Sequence, residues 1–260
     1  MIALIYLFIF ILGAIVGSFL NVVILRLHEE KSFVTGRSHC PQCNHVLGSL
    51  ELIPIFSFLF QKGKCRHCSK KISWQYPLVE LVTAVLFILA LTVNFPFGQT
   101  DWHDYLSLIR DLVFIGFLVV IFVYDLKWYL ILDKVTIPAI ITALIFNLIL
   151  GFSWQSLLLA LVVGFGFFGL QFALSKGKWI GGGDLRLGAL MGLMLSWPGV
   201  ILGLFLSYIL GSIVGVGLLL KKKKSLDSKI PFGTFLAIGT IITLFWGDKI
   251  VNWYLSFLGF

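Results

Sequence analysis

Charged residues are scarce in this chain of 260 residues: they make up 12% of it, whereas hydrophobic residues make up 59%. A soluble globular domain carries about 25% charged residues, so this composition excludes an ordinary soluble protein. The mean hydropathy is +1.00. Apolar runs long enough to cross the roughly 30 Å of membrane hydrocarbon recur along nearly the whole sequence. The chain is therefore predicted to be an all-α polytopic membrane protein.

Two binding signatures are also missing. The sequence has no glycine fingerprint of the Rossmann type, so no residues are assigned to a nucleotide-like cofactor. It has no basic patch of the kind that contacts nucleic acid. The formal net charge is +8, but the basic residues lie mainly between apolar spans, as the positive-inside rule explains. The sequence predicts no nucleic-acid partner, and it predicts contact of the lysine run at 221–224 with anionic lipid.

About eight apolar segments are predicted to be transmembrane helices. They cover approximately residues 1–25, 77–95, 106–124, 135–150, 156–175, 185–196, 199–220 and 230–260. The first segment is longer than the apolar core of a signal peptide and has no charged residues before it, so we interpret it as a membrane helix. With both termini outside, the loop charges obey the positive-inside rule, leaving Arg110 and Lys249 as exceptions.

The chain divides into three predicted regions. Residues 1–26 form the first transmembrane helix, residues 27–76 form a cytoplasmic region that carries all four cysteines, and residues 77–260 form the remaining membrane-embedded helices. Eight of the twenty Lys and Arg residues lie between Arg26 and Tyr76. That density favours a cytoplasmic location for the interval.

All four cysteines lie in this interval, as Cys40 with Cys43 and Cys65 with Cys68. Two CxxC pairs at this separation are typical of a four-cysteine zinc site, because each turn directs two thiolates at one tetrahedral ion. The alternative is two redox pairs, although a reducing cytoplasm disfavours stable disulfides. The histidines next to the pairs are not needed as ligands, since four thiolates already close a structural site. These histidines are His39, His45 and His67.

Two aspartates at the ends of predicted membrane helices are the candidate catalytic residues. Asp125 ends the third span, and Asp184 follows the glycines at 181–183 before the sixth span. Ionisable groups at such positions are costly and favour a functional role. Two nearby carboxylates can share a proton, so that one activates water while the other protonates a scissile carbonyl. The loop charges place both aspartates at the cytoplasmic face.

Structural interpretations of the same residues remain open. Asp184 could be a helix N-cap after a glycine-rich turn, and Asp125 could pair with Lys127. Asp133 suits the N-cap of the fourth span, and Pro231 suits the first turn of the last.

An ion-coupled transporter that uses Asp125 and Asp184 is the alternative function. Transporters place such carboxylates near the bilayer midplane, often in repeated halves. The loop charges put both aspartates at the inner edge of the membrane instead, and no clear internal repeat is visible.

Motifs in order along almost the whole chain resemble the type IV prepilin peptidases, which are membrane aspartic proteases of the GxGD class. The matching segments are residues 17–27, both CxxC pairs, residues 72–80 with Glu80, Asp125 with Asp133, residues 181–184, and residues 230–233. One departure is Leu132, where the family often has proline before the downstream aspartate.

The resemblance implies an enzyme of the bacterial cytoplasmic membrane that removes the basic leader of type IV prepilins and pseudopilins. It implies that Asp125 and Asp184 are the catalytic aspartates and that cleavage occurs at the cytoplasmic face. Many family members also methylate the new N-terminus with S-adenosylmethionine, an activity associated with the cysteine-bearing region. All four cysteines are present here, so we expect both activities.

Overall fold

The computed structural model describes residues 2–95, 101–220 and 230–257. Over these ranges its regular elements are helices, which confirms the all-α prediction. The helices are α1 (Ile2–His28), a 3₁₀ helix (Ser49–Leu52), α2 (Phe56–Phe60), α3 (Gln75–Asn94), α4 (Trp102–Trp128), α5 (Asp133–Ile149), α6 (Trp154–Ser175), α7 (Gly182–Leu220) and α8 (Phe232–Phe257). The lysine run at 221–224 and the C-terminal Phe260 lie outside the described residues.

Each of the eight predicted apolar segments lies mainly in a helix over the residues that the structure describes. Six helices in these ranges are long and apolar enough to cross a membrane, namely α1, α3, α4, α6, α7 and α8. The fourth predicted span corresponds to α5, which has 17 residues and is shorter than the others. The sixth and seventh predicted spans are the two parts of α7, whose backbone is non-helical at Ser196 and Trp197. Pro198 follows this break, where it cannot continue the hydrogen bonding of the first part.

The described residues 2–95 belong to one compact unit, in which α1 packs against α3. Gly17 permits this packing, because a Cβ atom there would lie 2.7 Å from the Cα of Glu80. Small residues allow such close helix approaches in membranes. The buried Asn21 then donates a hydrogen bond to the carbonyl of Tyr76 at 3.1 Å. The start of α3 is thereby fixed against α1.

The described residues 101–220 and 230–257 belong to the second compact unit. Helix α7 packs against α5, α6 and α8, and α4 packs against α5 and α8. Residues 187–194 of α7 are all buried. Gly164 of α6 and Gly188 of α7 lie so close that a side chain on either would collide with the carbonyl oxygen of the other. The first part of α7, which begins beside Asp184, is therefore the central element of this unit.

Arg110, one of the two exceptions to the positive-inside pattern, belongs to a buried polar network. It forms an ion pair with Asp111 at 2.8 Å and donates a hydrogen bond to Asn147 at 3.2 Å. Asn147 donates in turn to the carbonyl of Leu193. Asp111 and Asn147 are both buried, and such groups in a membrane protein need internal partners. Arg110 therefore links α4, α5 and α7, which explains its departure from the loop-charge pattern.

Candidate active site

Asp125 lies in the last turn of α4 and is only 4% exposed. Its Oδ2 atom accepts two hydrogen bonds from Thr234, one from the backbone N–H at 2.7 Å and one from the hydroxyl at 3.0 Å. Its backbone carbonyl accepts a hydrogen bond at 2.8 Å from Tyr129, which ends the helix in the left-handed conformation. The start of α8 thus fixes the carboxylate of α4. Lys127 lies over the ring of Trp128.

Asp184 is the third residue of α7 and is partly buried. Its Oδ2 atom accepts a hydrogen bond at 3.1 Å from the backbone N–H of Gly181, which precedes the helix. The interpretation of Asp184 as N-cap is therefore wrong. Asp184 lies inside the helix, and its side chain bonds to Gly181, the residue before the helix. This arrangement satisfies one backbone donor at the helix start. It also keeps the carboxylate at the positive end of the helix dipole.

Ile131 lies between the start of α7, which carries Asp184, and the start of α8, which contacts Asp125. A Cβ atom on Gly183, next to Asp184, would lie 2.9 Å from the Cβ of Ile131. A Cβ atom on Gly233 would lie 2.9 Å from the Cδ1 of the same isoleucine and 3.0 Å from Oδ2 of Asp125. The fold therefore brings Asp125 and Asp184 together at the ends of α4 and α7, beside the start of α8.

Residues 231–234, at the start of α8, form part of this site. The sequence had suggested only that they begin a helix. Pro231 immediately precedes α8, so it does not lie in the first turn. Gly233 provides the space beside Asp125, and Thr234 holds its carboxylate. Sequence reasoning missed Thr234. Its position could have identified it, because Thr234 directly follows the motif at 230–233 and lies at the start of an apolar helix.

Asp133 occupies a different environment from Asp125. It is the first residue of α5, whose N-cap is Leu132, so the prediction of Asp133 as N-cap is wrong. Its carboxylate forms an ion pair with Arg186, and the Asp133 side chain is 53% exposed. Exposed ion pairs contribute about 0–1 kcal/mol to stability. Asp133 therefore joins the start of α5 to the first turn of α7, beside the aspartate pair.

The two CxxC turns of the first unit have the same backbone geometry. Cys40 donates its N–H to the carbonyl of His45 and accepts from the N–H of Asn44, both at 2.9 Å. In the second turn the same two bonds join Cys65 to Lys70 and to Ser69, also at 2.9 Å. Asn44 and Ser69 both have positive φ angles. The sequence thus builds two equivalent turns, each of which presents a pair of thiols.

The four thiols converge on one position. Their sulfur atoms, from Cys40, Cys43, Cys65 and Cys68, all lie within 4.8 Å of one another. Cys40 Sγ and Cys68 Sγ are 3.9 Å apart, close to the roughly 3.8 Å that tetrahedral zinc with Zn–S bonds of about 2.3 Å requires. Hydrogen bonds from the backbone N–H groups of Cys68 and His67 lower the pKa of Cys65 to about 7. The cluster therefore fits a metal ion held by four thiolates.

A cavity of about 390 Å³ lies next to this cluster in the same unit. Phe58 and Trp74 form an aromatic wall, with ring centroids 4.8 Å apart. Three lysines also line the cavity, namely Lys62, Lys64 and Lys71. We assign this cavity no ligand.

Two acidic residues of the first unit have partners within that unit. Glu80, which is buried, accepts a hydrogen bond at 2.7 Å from the backbone N–H of Ile55. Glu29 pairs with Lys31 at 2.8 Å, and this hydrogen bond lowers the pKa of Glu29. Glu80 therefore fixes the connection into α2, which is a structural role.

Comparison with known proteins covers most of the chain. Residues 11–94 match the bacterial peptidase A24 N-terminal domain, and residues 112–216 match the type IV leader peptidase family. The chain is 34% identical to a prepilin leader peptidase/N-methyltransferase of Aeromonas salmonicida (strain A449), over 95% of this chain and 93% of that protein. It is 35% identical to the protein of the same name from Bacillus subtilis (strain 168), over 95% and 96%. No solved structure matches the chain.

Proposed function

Because the chain belongs to the type IV leader peptidase family, we propose that it is a membrane aspartic endopeptidase that cleaves the basic leader of type IV prepilins and pseudopilins. We further propose that it methylates the new N-terminus with S-adenosylmethionine. The observation that supports the peptidase function is that Gly183, next to Asp184, and Gly233, beside Asp125, both lie against Ile131. The comparisons give the transporter alternative no support.

In the proposed mechanism, Asp125 and Asp184 act as a dyad on one peptide bond. Each carboxylate has its Oδ2 atom held by a backbone N–H, from Thr234 in one case and from Gly181 in the other. We assign the Oδ1 atoms to water and substrate. The ionised carboxylate takes a proton from water, which attacks the scissile carbonyl carbon, while the protonated carboxyl group donates to the carbonyl oxygen. The C–N bond then breaks, and the departing amine takes up the proton that the first carboxylate removed from water.

The dyad is proposed to face the cytoplasm in the bacterial inner membrane, with both termini of the chain outside. The distribution of Lys and Arg between the apolar segments supports this orientation. A prepilin leader is basic and stays inside, whereas the following helix is apolar and lies in the membrane. The bond between them would thus reach the aspartates at the inner interface.

The cysteine cluster is proposed to hold one structural zinc ion through Cys40, Cys43, Cys65 and Cys68. The spacing of the sulfur atoms and the equivalent turns support this assignment. A four-thiolate site leaves no open position for substrate, so the ion would clamp the two turns together. S-adenosylmethionine would supply the methyl group to the cleaved N-terminus, and we assign no residues to it.

Purified protein in detergent, mixed with a synthetic prepilin that contains the leader and the apolar helix, tests this proposal. Mass spectrometry should find two fragments with the cut between leader and helix, and added S-adenosylmethionine should increase the mass of the helix fragment by one methyl group. A parallel measurement follows ion flux in proteoliposomes. Intact peptide together with Asp125-dependent flux would instead support transport.

A further inference from the structure

Three side chains outside the cysteine cluster converge in the same unit. His45 lies two residues after Cys43, His67 lies inside the second CxxC turn, and Glu51 belongs to the 3₁₀ helix between the turns. Each offers a ligand atom, and these atoms all lie within 4.8 Å of one another. The centroids of the two imidazole rings are 3.3 Å apart. The backbone thus brings together two nitrogen donors and one carboxylate from three separate segments.

Only one of the two carboxylate oxygens of Glu51 has a hydrogen-bond partner among the described residues. Its Oε2 atom accepts a hydrogen bond at 2.9 Å from the backbone N–H of Gly48, at the start of the 3₁₀ helix. Its Oε1 atom is buried and has no hydrogen-bond partner among the described residues. A buried carboxylate oxygen without a partner costs free energy, and a bound cation removes that cost. This oxygen therefore points to a ligand that the protein chain does not supply.

We propose that His45, Glu51 and His67 form a second metal site, distinct from the four-cysteine cluster, for a divalent transition metal ion such as Zn²⁺. Two imidazoles and a carboxylate are a common ligand set for such ions, whereas Mg²⁺ and Ca²⁺ prefer oxygen ligands alone. Three protein ligands leave at least one coordination position for water. The site differs in this respect from the closed four-thiolate cluster.

A metal ion bound at this site would cross-link the segments between the two CxxC turns. Its ligands come from the first turn, the 3₁₀ helix and the second turn, so one ion would tie all three together. His67 is exposed, whereas His45 and Glu51 are partly buried. Three ligands at a partly exposed position bind more weakly than four thiolates, so this ion would exchange while the cysteine-bound ion stays in place.

Metal titration of the full-length protein in detergent tests the proposal. The purified chain is dialysed against increasing Zn²⁺, and bound zinc per chain is measured for the unchanged protein and for Glu51→Gln and His67→Asn. His39→Asn is the matched control, because His39 is an exposed histidine beside Cys40 but outside the cluster. In parallel, Co²⁺ replaces zinc, and its thiolate charge-transfer absorption reports the cysteine cluster alone.

The unchanged protein and His39→Asn should bind a second, weaker equivalent of zinc. Glu51→Gln and His67→Asn should lower the affinity for that equivalent at least about tenfold, with the cobalt–thiolate absorption unchanged. Saturation of the unchanged protein at a single equivalent would overturn the proposal, and so would an unaltered second affinity in both variants. Loss of the cobalt–thiolate absorption in the variants would also overturn it, since the three residues would then support the cysteine cluster.

Discussion

Thr234 holds the carboxylate of Asp125 across 109 residues of sequence. Both its backbone N–H and its hydroxyl donate to the same oxygen, Oδ2, at 2.7 and 3.0 Å. Two donors on one oxygen fix the rotation of the carboxylate and leave the other oxygen available. Helix α8 is therefore the element that orients one member of the proposed dyad.

Replacing Thr234 by valine should lower kcat for prepilin cleavage with little change in KM. The variant keeps the shape of the side chain and the backbone donor but removes the hydroxyl donor. A hydrogen bond to a charged group contributes about 1.5–3 kcal/mol, so we expect a loss of about ten- to hundredfold. Thr234→Ser retains the hydroxyl and should keep most of the activity. Equal activity of the valine and serine variants would contradict a role for the hydroxyl.

Gly233→Ala should impair cleavage because the new Cβ atom would lie 3.0 Å from Oδ2 of Asp125 and 2.9 Å from Ile131. Displacement of a catalytic group by about 1 Å can cost about a hundredfold in rate. Gly116→Ala in α4 is the matched control, since its Cβ atom would have no neighbour within 4 Å. Initial rates of prepilin cleavage at equal folded protein compare the two. Similar rates would mean that Gly233 does not set the position of Asp125.

Asp133→Asn tests whether Asp133, at the start of α5, takes part in cleavage in addition to Asp125 at the end of α4. Asp133 pairs with Arg186 at a half-exposed position, so we expect cleavage to persist and stability to fall by no more than about 1 kcal/mol. Thermal unfolding in detergent and prepilin cleavage measure the two effects. Complete loss of cleavage by the folded Asp133→Asn variant would show that Asp133 has a catalytic role.

The sequence was sufficient for the features that depend on local pattern. Apolar run length located the helices, and the spacing of the cysteines predicted their convergence, because both signals lie within short stretches of chain. Thr234 was not predictable in this way, since a threonine at the start of an apolar helix has no distinctive pattern and its partner is distant in sequence. Asp133 was misinterpreted for a similar reason: its ion pair with Arg186 depends on how α5 packs against α7.

Cys68→Ser should abolish tight zinc binding, because three thiolates no longer close the tetrahedral site. Metal analysis of purified protein should find about one tightly held zinc ion per chain before the change and none after it. Gln42→Ala, in the first CxxC turn, is the control that retains the ligands. Affinity should also fall as the pH is lowered, because the thiol ligands must lose their protons to bind zinc. Tight binding of zinc by the Cys68→Ser variant would contradict the four-cysteine site.

Cleavage of a prepilin by Asp125→Asn and Asp184→Asn tests the central claim most directly. Each substitution preserves side-chain volume but removes the carboxylate that the dyad needs. Both variants should retain the thermal unfolding midpoint of the unchanged protein to within a few degrees and lose about 10²- to 10⁴-fold in cleavage rate. Folded protein that cleaves at the unchanged rate with either aspartate replaced would contradict the dyad.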